Sequence, residues 1–240
     1  MQFLPTEKIG ICSVDITYIL VLIGAIISAI ASWNVNHTFK KFSKFNNEKG
    51  LSAEDCAAVI MHAAGIYDVR IERVKGSLTD HYSPSEKVLR LSESVYGSTS
   101  VAALDVAAHE CGHAIQHKRG YLPLKLRSVS VPVANIGSKL SWPVIIIGLI
   151  IGQMGIARIG VLLFAFVVLF QLITLPVEFN ASHRALKILE EKRLLIGGKM
   201  KGASKVLKAA ALTYVASLFS SILQLLRLIL LTQGRSNKRR

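Results

Sequence analysis

Four stretches of this chain are too apolar to be covered by water, and they decide what it can fold into. Residues 16–33 run for 18 positions without a charge, 141–157 and 159–177 are interrupted only by Arg158, and 209–231 contain the single charge of Arg227. Each approaches the roughly 20 apolar residues that a helix needs to cross a bilayer. Of the 240 residues, 51% are hydrophobic and 18% charged, which is outside the balance of an ordinary soluble domain. The expected class is therefore a mainly α membrane protein with about four transmembrane helices.

The first crossing is expected over residues 14–33. Ala29-Ile30-Ala31 resembles a signal-peptide cleavage site, but Lys8 is offset by Glu7 and Asp15, so the positive n-region of such a peptide is missing. Residues 131–177 read as a hairpin of two helices, broken near 152–158, with Gly148 and Gly152 offering a small packing face. The fourth crossing covers 209–231, where Arg227 must reach an interface or a partner.

The polar segments between these runs carry the rest. Residues 34–130 form the main soluble region and 178–208 a further helix with a basic segment; 232–240 are a basic tail. Ser52 is a helix N-cap for residues 51–64, and 98–118 form a second helix ending at Gly120. Alternation over 68–74 and 87–91, on either side of a turn at Ser83-Pro84-Ser85, predicts a small strand hairpin. The soluble region is thus expected to be a small α+β unit.

The net charge of +14 comes from Lys and Arg spread between apolar runs, without interleaved aromatics. That excludes nucleic acid as the natural partner and favours a lipid bilayer with anionic headgroups. Residues 34–130 hold 13 Lys or Arg and 178–208 hold 8, whereas the hairpin turn has only Arg158. Four crossings put both basic segments on one side, and basic loops are retained in the cytoplasm. The expectation is a multi-pass cell-membrane protein whose soluble face is cytoplasmic; the basic tail argues for the opposite orientation. Cys12, Cys56 and Cys111 are too far apart for a metal knuckle and odd in number for a disulfide framework.

The chemistry lies in His109-Glu110-Cys111-Gly112-His113, an HExxH motif within the second helix. Four residues advance a helix by about one turn, so both imidazoles leave one face and can take adjacent corners of a tetrahedral zinc ion. Glu110 is offset around the helix, where it can accept a proton from water instead of ligating. A solvated surface face is the plainer reading, but the flanking alanines and Cys111 point to burial. Metzincins would need Gly at Gln116 and His at Arg119, which this chain lacks. His117 is too far along the axis to share the ion and is read as a structural or rim histidine. The third ligand expected is Glu178, where the third apolar run ends, with Ser182 one turn later as a hydrogen-bond partner for a ligand.

The strings AAHECGHAIQHKRG and FQLITLPVEFNASHRAL, with LTDHYSPSEKVLRLS upstream, closely resemble the YugP-type neutral zinc metallopeptidases. More distantly, the layout is similar to HtpX-like and prenyl-protein membrane peptidases, in which a membrane hairpin separates HExxH from an ExxAD ligand motif. Here Ser182 stands where that motif has Asp. The resemblance implies a gluzincin-type peptidase with a zinc cofactor and a polypeptide substrate, attacked by zinc-activated water without a covalent intermediate. Donors for the developing oxyanion are expected among His81, Tyr82 and His183, and Asp80 is either an orienting group or a turn residue. The alternative is a non-catalytic scaffold stapled by zinc. Purely structural zinc sites, however, are closed by four protein ligands and need no adjacent Glu.

Overall fold

The computed structural model describes residues 17–237. In chain order the elements are α1 (Tyr18–Phe42), α2 (Ala53–Ala63), β1 (Arg70–Val74), β2 (His81–Ser83), β3 (Val88–Ser92), α3 (Val101–Lys118), α4 (Leu122–Ile151), α5 (Met154–Glu191) and α6 (Gly197–Asn237). Four of them, α1, α4, α5 and α6, are long and apolar enough to cross a membrane, as the apolar runs require. The protein is a mainly helical membrane protein with a small α+β lobe. Cys12, the first positions of the 14–33 segment and the last three of the tail lie outside the described residues.

The lobe is built by local signals. Ser52 caps α2 by accepting a hydrogen bond from the Asp55 amide, and Ser100 caps α3 by accepting one from Ala103. A core of small and branched side chains joins α2, α3 and the sheet, including the fully buried Cys56, Ile60, Leu91, Leu104 and Cys111. Burying each of the larger aliphatic side chains contributes about 1.5–3 kcal/mol. Ala185 and Leu189 of α5 and Ala203, Val206 and Leu207 of α6 belong to the same core. Both helices therefore continue out of the apolar slab and become walls of the lobe.

That continuity changes the expected boundaries. α5 runs unbroken through Glu178 to Glu191, and α6 begins at Gly197, a dozen residues before its apolar stretch. Likewise α4 starts at Leu122, before residue 131, and only Gly152 and Gln153 separate it from α5. Gly152 ends α4 in the left-handed conformation, at φ 74°, which glycine adopts without a Cβ penalty.

The sheet differs from the expected hairpin. β1 and β3, the two strands read from alternation, pair in parallel, Arg70 opposite Val88 through Val74 opposite Ser92. The antiparallel partner of β3 is the short β2, with Tyr82 opposite Leu89, and the order is β1-β3-β2. The turn at Ser83-Pro84-Ser85 thus belongs to a β2–β3 hairpin, and β2 becomes the edge strand on the side of α3. Asp80 tethers this edge by accepting from the Ser92 amide at 2.7 Å and its hydroxyl at 2.9 Å.

Candidate metal centre

The site forms where α3 crosses α5. A Cβ on Gly112 would lie 2.6 Å from the carbonyl oxygen of Ala181, so only glycine permits this approach of the two helices. Gln116, fully buried one turn after Gly112, donates to the Val177 carbonyl at 2.8 Å and to Asn180 Oδ1 at 3.0 Å. Arg184 secures Asn180 from the other side at 2.7 Å. The crossing is thereby fixed in both rotation and height, and Glu178 arrives beside the HExxH face.

Glu178 Oε2 lies 3.2 Å from His109 Nε2 and 3.6 Å from His113 Nε2. The three donor atoms are all within 4.8 Å of one another. Two ligands at tetrahedral corners of one zinc, each about 2.0–2.1 Å away, stand about 3.4 Å apart. The donor set and its spacing fit zinc. The rings are oriented for it as well, because each imidazole uses Nδ1 elsewhere. His113 Nδ1 is 3.0 Å from Gln116 Oε1, a pure acceptor, which fixes the proton on Nδ1 and leaves the Nε2 lone pair facing Glu178. His109 Nδ1 is 3.2 Å from the Ser182 hydroxyl. Burial opposes charge on His113, but Glu178 and Glu110 outweigh it and hold the ring above the usual histidine range.

A cavity of about 260 Å³ opens over these atoms. Glu110, 8% exposed, lines it together with His81 and Tyr82 from β2, Arg127 and Ser128 from α4, and Tyr214 from α6. The structure thus brings together His109, Glu110, His113 and Glu178, with Ser182 behind His109 and with His81 and Tyr82 at the wall. It does not bring His183, which is exposed on α5 and absent from the lining. The Tyr82 hydroxyl is 2.8 Å from His117 Nδ1, which makes His117 a support for the edge strand.

Three residues of this neighbourhood escaped the sequence reading. Gln116 entered it only as a position that failed a metzincin pattern, Arg127 lay in a basic segment without a motif, and Tyr214 sat inside an apolar run. Arg127 Nη1 lies 3.1 Å from Glu178 Oε1, the oxygen turned away from the histidines.

The comparisons with known proteins bear on the same residues. The family model described as "Putative neutral zinc metallopeptidase" matches residues 17–233. The chain is 42% identical over 215 residues to "Putative membrane protease YugP" of Bacillus subtilis (strain 168), an alignment covering 89% of this chain and 96% of that relative. No solved structure matches the chain. The family match takes in α3, the membrane hairpin and α5, the elements whose crossing makes the zinc-compatible donor set, and the chain belongs to the neutral zinc metallopeptidase family.

Proposed function

We propose that this protein is a membrane-embedded zinc endopeptidase of the gluzincin type, with His109, His113 and Glu178 as metal ligands and Glu110 as general base. The observation that carries this reading is the position of Glu178 Oε2, at 3.2 and 3.6 Å from two Nε2 atoms of another helix, across a membrane excursion in the sequence. When bound, zinc polarises the scissile carbonyl and lowers the pKa of an attacking water toward about 7. Glu110 takes the proton of that water on a carboxylate oxygen and hands it to the leaving amine nitrogen. Gln116 holds His113 in the tautomer that leaves Nε2 free, and Ser182 orients the His109 ring through its Nδ1. His81 and Tyr82, on the edge strand, and Tyr214, across the cavity, are the donors available to the developing oxyanion.

The basic segments of the lobe lie on the side of the membrane helices that carries the site, which supports a cytoplasmic active site. The cavity is walled by the lobe-proximal turns of α4 and by α6, which favours polypeptides presented at the membrane surface: membrane-associated or misfolded proteins. The deciding experiment is Glu110→Gln in the full chain. Zinc content should stay near one per chain while proteolysis falls about 10²- to 10⁴-fold, and crosslinking should accumulate uncut substrate. Unchanged cleavage would remove Glu110 from the chemistry, and absence of both cleavage and trapping in any preparation would favour a zinc-stapled scaffold.

A further inference from the structure

We infer that Arg127 is a positioning residue that confines Glu178 to a single oxygen facing the metal. The inference rests on the assignment of His109, His113 and Glu178 as ligands. A carboxylate beside a divalent cation can bind through one oxygen or close on it with both. In a catalytic zinc site the difference matters, since three protein ligands must leave a fourth position open for water or substrate. A second carboxylate oxygen would crowd that position and raise the coordination number from four to five once water is bound.

Here the two oxygens of Glu178 are given different partners. Oε2 faces the paired imidazoles, and Oε1 is ion-paired with the Arg127 guanidinium, whose Nη1 lies 3.1 Å away. The Glu178 side chain is 3% exposed and that of Arg127 31%. This is not a solvated surface pair of the kind that contributes little. Breaking an ion pair whose carboxylate is buried is costly, and turning Oε1 toward the metal would leave a partly buried cation unpaired.

The origin of the guanidinium adds a second point. Arg127 stands on α4, and Leu124, Ser128 and Val131 of the same helix also line the cavity. The first helix of the membrane hairpin therefore presents one face to the site, and Glu178 is held by α4 as well as by the α3–α5 crossing. Movement of α4 relative to α5 would be felt by the carboxylate directly.

The test uses the full chain with cobalt(II) replacing zinc, because cobalt absorbs strongly in the visible when four-coordinate and weakly when five-coordinate. In Arg127→Met, one metal per chain should remain bound, the visible absorption should fall severalfold, and kcat should fall about 10- to 100-fold with KM little changed. Arg127→Lys, which keeps one charged donor, should recover part of the absorption and of kcat. An unaltered cobalt spectrum in Arg127→Met, or a rise in KM at constant kcat, would overturn the inference; the latter would make Arg127 a substrate contact. If Arg127→Met does not fold, Arg127→Lys decides alone: a spectrum intermediate in intensity supports the inference and a wild-type one refutes it. Failure of the wild-type chain to bind metal through His109, His113 and Glu178 would instead defeat the ligand assignment.

Discussion

The two helices that meet at the metal centre are built on opposite terms. In α3, 14 of 18 residues are buried, so the HExxH pair is held by protein on nearly every side. In α5, nine of 38 are buried, and Leu162, Leu169 and Leu172 each expose about half of their surface to what would be lipid. Glu178 nonetheless is nearly as enclosed as the core of α3, at 2%. A lipid-covered helix can carry a fixed ligand, provided that the few turns around it are locked to an enclosed one. Here the locks are the Gly112–Ala181 approach, the Gln116 hydrogen bonds and the Arg127 ion pair.

This contrast can be broken most forcefully in the enclosed helix. Leu104→Ala, at a fully buried position of α3, should cost about 2–5 kcal/mol in unfolding measured in detergent. A cost below about 1 kcal/mol would mean that the α3 core is loosely packed and that the site is organised some other way.

Gln116→Leu probes the lock itself. It removes the acceptor for His113 Nδ1 and both bonds to α5. Zinc affinity, read by chelator competition, should fall about 10- to 100-fold, because orientation of a ligating histidine is lost. Unchanged affinity would show that the helix crossing alone positions the ligands.

Asp105 sharpens the comparison through pH. It is fully buried on α3, neither carboxyl oxygen has a hydrogen-bond partner, and burial pushes its pKa well above the usual carboxylate range. The unfolded chain ionises this group near pH 3.9, so its contribution is fully favourable below that value and is lost as pH rises toward the folded pKa. Stability should fall by up to about 1.4 kcal/mol per pH unit across that window on account of this one residue. In Asp105→Asn the fall in stability as pH rises above the unfolded value should flatten, and equal slopes in the two proteins would place an ionised carboxylate in the core after all. The smallest effect belongs to the lipid face: Leu162→Ala, at a position 59% exposed, should change stability by no more than about 0.5 kcal/mol.

Much of this organisation was written locally and could be read. The apolar runs announce the four membrane helices, Ser52 announces the start of α2, and the spacing of His109 and His113 puts both rings on one face. What escaped was whatever depends on partners distant in the chain. The parallel pairing of β1 with β3 looked like a hairpin because alternation identifies strands without their direction. The end of the third apolar run looked like the end of a helix, whereas α5 only leaves the slab there and goes on to bury Ala185 and Leu189 in the lobe. Arg127 meets Glu178 across 51 positions with no periodicity to signal it. Gln116 is an unremarkable polar letter until the structure shows it bonded to His113, Val177 and Asn180. The same physics explains His183: on a helix carrying Glu178, a residue five positions later points elsewhere.

The most direct test of the central claim is X-ray absorption at the zinc edge of the full-length protein and of Glu178→Ala, with zinc affinity measured on both. Two imidazole nitrogens and one carboxylate oxygen are expected about 2.0–2.2 Å from the metal in the parent, with loss of that oxygen and at least about 100-fold weaker binding in the variant. An unchanged shell and unchanged affinity in Glu178→Ala would contradict it, for zinc would then be held without the residue that α5 brings to the histidines.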